Sequence, residues 1–125
     1  YDYISLMDQR VGELLDELEE RGLAENTIVF YYGDHGGVLP RSKRFVFESG
    51  TRVPMIVRFP EKYQHLAPAE SGSREDRLVS FVDLAPTVLS LAGVDIPEHM
   101  QGHAFLGNQK TENPEYVYFF RGRMY

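Results

Sequence analysis

Two apolar runs, TIVFYY at residues 27–32 and VPMIVRFP at residues 53–60, flank a segment that begins with GDHGG at residues 33–37. Branched and aromatic side chains of this kind favour β-strands. The runs are apolar at nearly every position, which is typical of strands in a sheet that helices cover. Ligands of such sheets gather where the strands end. Asp34 and His35 are therefore the first candidates for chemistry.

Patterns on either side of these runs predict helices and one more strand. Residues 3–21 carry apolar side chains at spacings of three and four, which predicts an amphipathic helix, and Gly22 follows where a helix ends. Residues 84–92 predict a second helix with Asp83 as its N-cap. Residues 116–120, YVYFF, predict a third strand. The order of helix, strand, loop, strand, helix and strand predicts an α/β fold.

Length and composition limit the class of protein. The chain has 125 residues, a formal net charge of −6 and no cysteine. It therefore holds one domain at most, and it has no disulfide, thiolate metal site or cysteine nucleophile. The acidic balance speaks against nucleic-acid binding, and no apolar run approaches the roughly 18 residues of a membrane span. No signal peptide opens the chain, and both ends resemble cuts, so residues 1–125 are expected to be a single partial domain.

The segment at residues 33–52 is long for a loop, which favours a functional one. Five basic residues and one acid lie within residues 41–58: Arg41, Lys43, Arg44, Arg52, Arg58 and Glu48. This local basic charge suits a small anion. Lys43 is the candidate to pair with that anion, although from the residues alone a solvated surface lysine is the more common explanation. Glu48 and Arg52 are expected to form an ion pair that braces the loop.

The pair Asp34–His35 offers one oxygen donor and one nitrogen donor to a divalent cation. Two donors do not complete a metal site, and no obvious further pair is present in this chain. The alternative is a salt-bridged aspartate and a capping histidine at the end of a strand. The residues alone leave both interpretations open.

Together these segments resemble a known family, the sulfatases of the alkaline-phosphatase-like superfamily, over the C-terminal half of the catalytic domain. The segments at residues 18–29 and 81–93 are similar to the family's helix-to-strand lead-in and to a later helix. GDHG at residues 33–36 resembles the metal-binding strand end, which other enzymes of the superfamily share. Lys43, followed by E-x-G-x-R-x-P at residues 48–54, is the more specific match.

The resemblance implies an alkaline-phosphatase-like sandwich with a mixed, mainly parallel sheet flanked by helices. It implies that Asp34 is a ligand of calcium and that His35 is the next ligand or a hydrogen-bond partner of the substrate or nucleophile. Lys43 would contact the sulfate oxygens and stabilise charge during catalysis. Glu48 and Arg52 would brace the loop from behind. The reaction implied is hydrolysis of sulfate esters, of sugars or other organic molecules, by an exported enzyme.

Two features of the family are missing from this chain. Sulfatases use a formylglycine nucleophile made from the motif C/S-x-P-x-R, and no serine here has proline two residues later. The paired aspartates that complete the metal site are missing too, so the rest of the sulfatase chain is an expected partner and this chain alone is not expected to turn over. Two other interpretations stay open: a zinc-dependent phosphatase or phosphodiesterase of the same superfamily, and a non-catalytic α/β binding module.

Overall fold

A computed structural model describes residues 1–122. Helix α1 spans Asp2–Glu20, strand β1 Val29–Tyr32, helix α2 Glu48–Thr51, strand β2 Met55–Arg58 and helix α3 Leu84–Leu91. Short 3₁₀ turns at Ala24–Asn26, Glu61–Leu66 and Phe81–Asp83 connect them. The predicted α/β class is confirmed. Within residues 1–122, no helix is both long enough and apolar enough to cross a bilayer.

Helix α1 lies against the sheet through one side. Val11, Leu15 and Leu18 are half-buried, and the Tyr31 hydroxyl of β1 donates a hydrogen bond to Met7 Sδ at 3.3 Å. The helix ends where Gly22 predicted, because the amide groups of the two residues after Arg21 bond back to the last turn. No residue of α1 is fully buried. The other apolar residues of its stripe, Ile4, Met7 and Leu14, are exposed.

Strands β1 and β2 pair antiparallel, with Val29 opposite Arg58 and Tyr32 opposite Met55. The amide of Gly33 donates to the Pro54 carbonyl at 3.1 Å and extends the ladder by one step. A sheet of mainly parallel strands was expected, and the pair within residues 1–122 is antiparallel. The reason is its connection: the intervening loop turns back at one end of the sheet instead of crossing over it.

The predicted third strand is wrong. Residues 116–120 form no strand in the described part of the chain, and Tyr118 and Phe120 are 84% and 94% exposed. Aromatic and branched side chains favour an extended backbone, but a strand exists only where its amides and carbonyls pair with a neighbour. No such neighbour lies beside this segment within residues 1–122.

Helix α3 carries the buried part of the chain. Thr87 and Ser90 are fully buried, and a loop at residues 102–109 wraps over them with Ala104, Phe105 and Leu106 at its centre. Each buried hydroxyl accepts a hydrogen bond from the loop's backbone, from Phe105 at 3.0 Å and from Gln109 at 2.8 Å. The helix therefore holds the loop through hydrogen bonds to side-chain hydroxyl groups and not through ion pairs.

Asp83 does not cap α3 through its side chain as predicted. Its carboxylate accepts from the Ser80 amide at 2.9 Å and from the His103 amide at 2.8 Å. It therefore caps the preceding 3₁₀ turn and also holds the loop that returns over α3. The sequence correctly indicated that Asp83 is a capping residue, but it caps the 3₁₀ turn at Phe81–Asp83 and not helix α3.

Candidate active site

The candidate site lies on the loop at residues 33–54, which leaves β1 and enters β2 at the same end of the sheet. Gly33 and Pro54 are hydrogen-bonded to each other, so the loop begins and ends at one point. Asp34 and His35 follow directly. The antiparallel pairing therefore fixes both ends of the loop and leaves its middle to be ordered by its own contacts.

Two glycines bring the limbs of this loop into backbone contact. The Gly36 amide donates to the Gly50 carbonyl at 3.0 Å. A Cβ at Gly36 would overlap the Ser49 carbonyl and Ser42 Oγ, and a Cβ at Gly50 would overlap the carbonyls of Ser42 and Phe45. Both positions therefore require glycine because the backbones approach too closely for any side chain.

Ser42 joins these limbs to the segment that carries Lys43. Its side chain is only 3% exposed, and its hydroxyl donates to the Ser49 carbonyl at 2.6 Å. The Lys43 amide donates to the Gly37 carbonyl at 2.9 Å. These two bonds place the backbone of Lys43 beside the Gly36–Gly37 turn, two residues beyond His35.

Asp34 and His35 face one another across a short gap. His35 Nε2 lies 3.4 Å from Asp34 Oδ2, and His35 Nδ1 lies 2.8 Å from the Gly36 carbonyl. A carbonyl oxygen only accepts, so Nδ1 carries a proton; when the ring is neutral, its lone pair therefore lies on Nε2. A lone pair and a carboxylate then share the same small space. That arrangement suits a cation between them.

The chemistry of this donor pair fits one part of a metal site. The Asp34 carboxylate is 82% exposed, so an incoming ion meets it without displacing protein contacts. Within residues 1–122, no group of three or more histidine, cysteine, aspartate or glutamate side chains is placed to hold a metal. Within the described residues, Asp34 and His35 therefore have no third ligand of these four types beside them.

Glu48 and Arg52 form the expected ion pair, with Arg52 Nη1 2.8 Å from Glu48 Oε1. They lie at the start and just after the end of α2, a short helix inside the segment at residues 33–52 that was predicted to be a loop. Their side chains are 75% and 67% exposed, so the pair contributes only about 0.3–0.5 kcal/mol to stability. It secures the short helix on its outer side.

The Lys43 side chain is exposed and makes no ion pair within residues 1–122. Arg41 and Arg44, on either side of the Ser42–Lys43 pair, have φ values of 65° and 71°. Non-glycine residues adopt this left-handed backbone at a cost, and such residues concentrate at functional sites. Among the described residues, Lys43 therefore has no ion-pair partner and lies between two residues with left-handed backbone, Arg41 and Arg44.

A groove beside His35 was not anticipated from the sequence. It has a volume of about 630 Å³, and its walls include Arg44, Phe45, Phe120 and Arg121. The alternation of arginine and phenylalanine in RSKRFVF at residues 41–47 was the available signal. The approach of residues 119–122 to this loop is a long-range contact that no local pattern reveals.

The family model and the two similar proteins that follow are all described as sulfatases. The family model described as Sulfatase matches residues 1–94. An ulvan-active sulfatase of Formosa agariphila is 49% identical over 118 residues, which is 94% of this chain and 19% of that protein. The extracellular sulfatase SULF-1 homolog of Drosophila melanogaster is 35% identical over 106 residues, which is 80% of this chain and 9% of that protein.

The fold agrees with this. A solved structure of a protein in complex with its substrate D-glucosamine-2-N,6-O-disulfate superposes with a TM-score of 0.72 at 31% identity. The match covers 91% of this chain and 23% of that one. The chain spans about a fifth of the length of the ulvan-active sulfatase. The resemblance to sulfatases and the alkaline-phosphatase-like fold are both confirmed, and the family points to a metal cofactor.

Proposed function

Because this chain belongs to the sulfatase family, we propose that it forms one side of the active site of an enzyme that hydrolyses sulfate esters of sugars. The observation that carries the proposal is the loop at residues 33–54. It brings Asp34, His35 and the backbone of Lys43 to one end of the sheet through contacts that only glycine and a buried serine allow.

Each of the three residues has a role that its chemistry supports. The Lys43 ammonium would bind the sulfate oxygens and offset the negative charge that shifts onto the leaving oxygen as the S–O bond breaks. Asp34 and His35 would hold calcium together with donors from the rest of the protein, and the bound ion would polarise the sulfate group. His35 keeps its Nε2 lone pair toward that space because Nδ1 is committed to the Gly36 carbonyl.

The nucleophile would come from outside this chain. No C/S-x-P-x-R motif is present in residues 1–125, so we propose that a formylglycine lies in the remaining part of the enzyme. The buried hydrophobic core within residues 1–122 consists of Ala24, Ala104, Phe105 and Leu106. A core this small supports the proposal that residues 1–125 are one part of a larger catalytic domain.

The substrate class follows from two relatives. One is described as active on ulvan, and the solved structure holds a doubly sulfated glucosamine as its substrate. We propose a sulfated sugar for this protein as well, and we take ulvan oligosaccharides as the test substrate. The relative described as extracellular supports a proposal that the full-length enzyme is exported.

The test is release of sulfate by the full-length enzyme, isolated with its own metal. We expect sulfate release from ulvan oligosaccharides, loss of that activity on chelation and recovery with calcium. Elemental analysis should give one calcium per chain. Two zinc ions per chain with release of phosphate from phosphate esters, and no release of sulfate, would contradict the proposal in favour of a phosphatase.

A further inference from the structure

The groove beside His35 combines aromatic faces with positive charge. Its volume is about 630 Å³, and we call it the arginine groove after the two arginines that line it. Its walls include the following side chains: His35, Arg44, Phe45, Phe119, Phe120 and Arg121. It therefore begins at a residue of the candidate active site and extends away from it.

The charge of the arginine groove is uncompensated. No aspartate or glutamate is among its lining residues, and neither Arg44 nor Arg121 forms an ion pair within the described residues. The guanidinium of Arg121 lies 4.2 Å from the centre of the Phe45 ring, an attractive cation–π distance. This contact holds one guanidinium in place with its hydrogen-bond donors still available.

The arginine groove and the lysine of the active site share one turn of the chain. Arg44 follows Lys43 directly, and the Phe45 amide donates to the Ser42 carbonyl at 3.0 Å. The left-handed backbone of Arg44, at φ 71°, is held inside this hydrogen-bonded turn. The backbone of Lys43 therefore adjoins two residues of the groove lining, Arg44 and Phe45.

We infer that the arginine groove binds a second anionic group of the sugar substrate, on the residue next to the sulfate that is removed. Guanidinium groups pair with carboxylate and sulfate oxygens through two parallel hydrogen bonds. The rings of Phe45 and Phe120 offer flat apolar surface for the ring of a sugar. This inference rests on the proposed function and deepens it: the substrates would be polyanionic, such as a sulfated oligosaccharide, in preference to isolated sulfate esters.

The experiment separates binding in the groove from binding at the sulfate site in the full-length enzyme. Binding of ulvan oligosaccharides is measured by calorimetry, and inhibition of sulfate release by inorganic sulfate reports on the sulfate site alone. We expect Arg44→Gln and Arg121→Gln each to raise the Kd for oligosaccharides about tenfold, because each removes a charge-assisted hydrogen bond. The inhibition constant of inorganic sulfate should stay within about twofold.

Arg41→Gln is the matched control. Arg41 has the same charge, lies in the same turn and has a similar backbone, with φ 65°. Its guanidinium lies 4.2 Å from the Phe47 ring and is not part of the groove lining. We expect Arg41→Gln to leave both constants unchanged.

Three results would overturn the inference: an unchanged Kd in both groove variants, an equal rise in Kd and in the sulfate inhibition constant, or an equal effect of Arg41→Gln. Failure of the proposed function looks different. If the wild-type enzyme binds the oligosaccharides through both arginines but releases no sulfate, the inference about the groove holds and the proposed sulfatase activity is wrong.

Discussion

The loop at residues 33–54 and the region around α3 are both held by hydroxyl groups, but they use them differently. Around α3, Thr87 and Ser90 are fully buried and accept hydrogen bonds from the amides of a returning loop. In the 33–54 loop, the buried Ser42 donates to one carbonyl, and the two limbs meet through Gly36 and Gly50. The first region fills its interior with side chains, and the second excludes them.

The difference indicates separate roles: the α3 region stabilises the fold, and the 33–54 loop carries the residues of the candidate site. The α3 region buries polar groups whose partners all lie within the protein, so it leaves no charge for a ligand. The 33–54 loop keeps its backbone contacts inside and leaves Asp34 and Lys43 exposed. Substitution of a loop residue that contacts the ligand should therefore impair catalysis, and substitution of a buried residue under α3 should impair folding. Four variants of the full-length enzyme test this contrast.

Lys43→Ala should have the largest effect. Removing one donor that stabilises charge in the transition state lowers kcat by roughly 10²–10³-fold. Because the side chain is exposed, the free energy of unfolding should change by less than about 0.5 kcal/mol. Sulfate release from ulvan oligosaccharides checks the first value and chemical denaturation the second. Lys110→Ala, an exposed lysine outside the loop, is the control, and equal kinetics in the two variants would remove Lys43 from the site.

Gly36→Ala should damage both activity and stability. A methyl group there would overlap the Ser49 carbonyl and Ser42 Oγ, so the limbs of the loop must separate. Overpacking of this kind costs about 1–3 kcal/mol. Gly37→Ala is a matched control because nothing lies within 4 Å of the corresponding position. If urea unfolding shows equal stability for both variants, the close contact between Gly36 and Gly50 is absent from the protein.

Thr87→Val should lower stability without changing the chemistry. The substitution keeps the shape but leaves the buried Phe105 amide without its acceptor, which costs about 1–3 kcal/mol. Denaturation should show this loss, and KM should match that of the wild-type enzyme. Thr87→Ser restores the hydroxyl and should recover most of the stability. A change in KM without a loss of stability would reverse the roles assigned to the two regions.

Glu48→Gln should have the smallest effect. The ion pair with Arg52 is exposed on both sides, so its loss costs about 0.3–0.5 kcal/mol, and high salt should remove the difference. Denaturation at two ionic strengths measures this. A loss of more than about 2 kcal/mol that persists at high salt would mean that the pair is buried in the full-length enzyme.

The sequence predicted the elements whose signals are local. The positions of α1, α3, β1 and β2 could be predicted because each has an apolar pattern that lies within one short segment. The prediction of a third strand was wrong because a strand needs a neighbour to pair with, and residues 116–120 have none within residues 1–122. Helix α2 was also missed, since four residues containing glycine carry no periodicity.

The candidate site likewise combines residues that the sequence could predict with long-range contacts that it could not. Asp34, His35 and Lys43 stood out because of their residue types and positions, and the resemblance to sulfatases supplied roles that stay predictions. The contact between Gly36 and Gly50 and the approach of Arg121 to Phe45 were not predictable. Both join residues far apart in the chain, and each depends on a backbone path that composition does not encode.

The most direct measurement is a crystal structure of the full-length enzyme with calcium and inorganic sulfate. We predict that Asp34 and His35 Nε2 contact the ion, and that Lys43 Nζ lies about 2.7–3.2 Å from a sulfate oxygen. We also expect the Gly36 amide to remain hydrogen-bonded to the Gly50 carbonyl. A sulfate bound elsewhere, with Lys43 directed into solvent and Asp34 away from the ion, would overturn the proposed site.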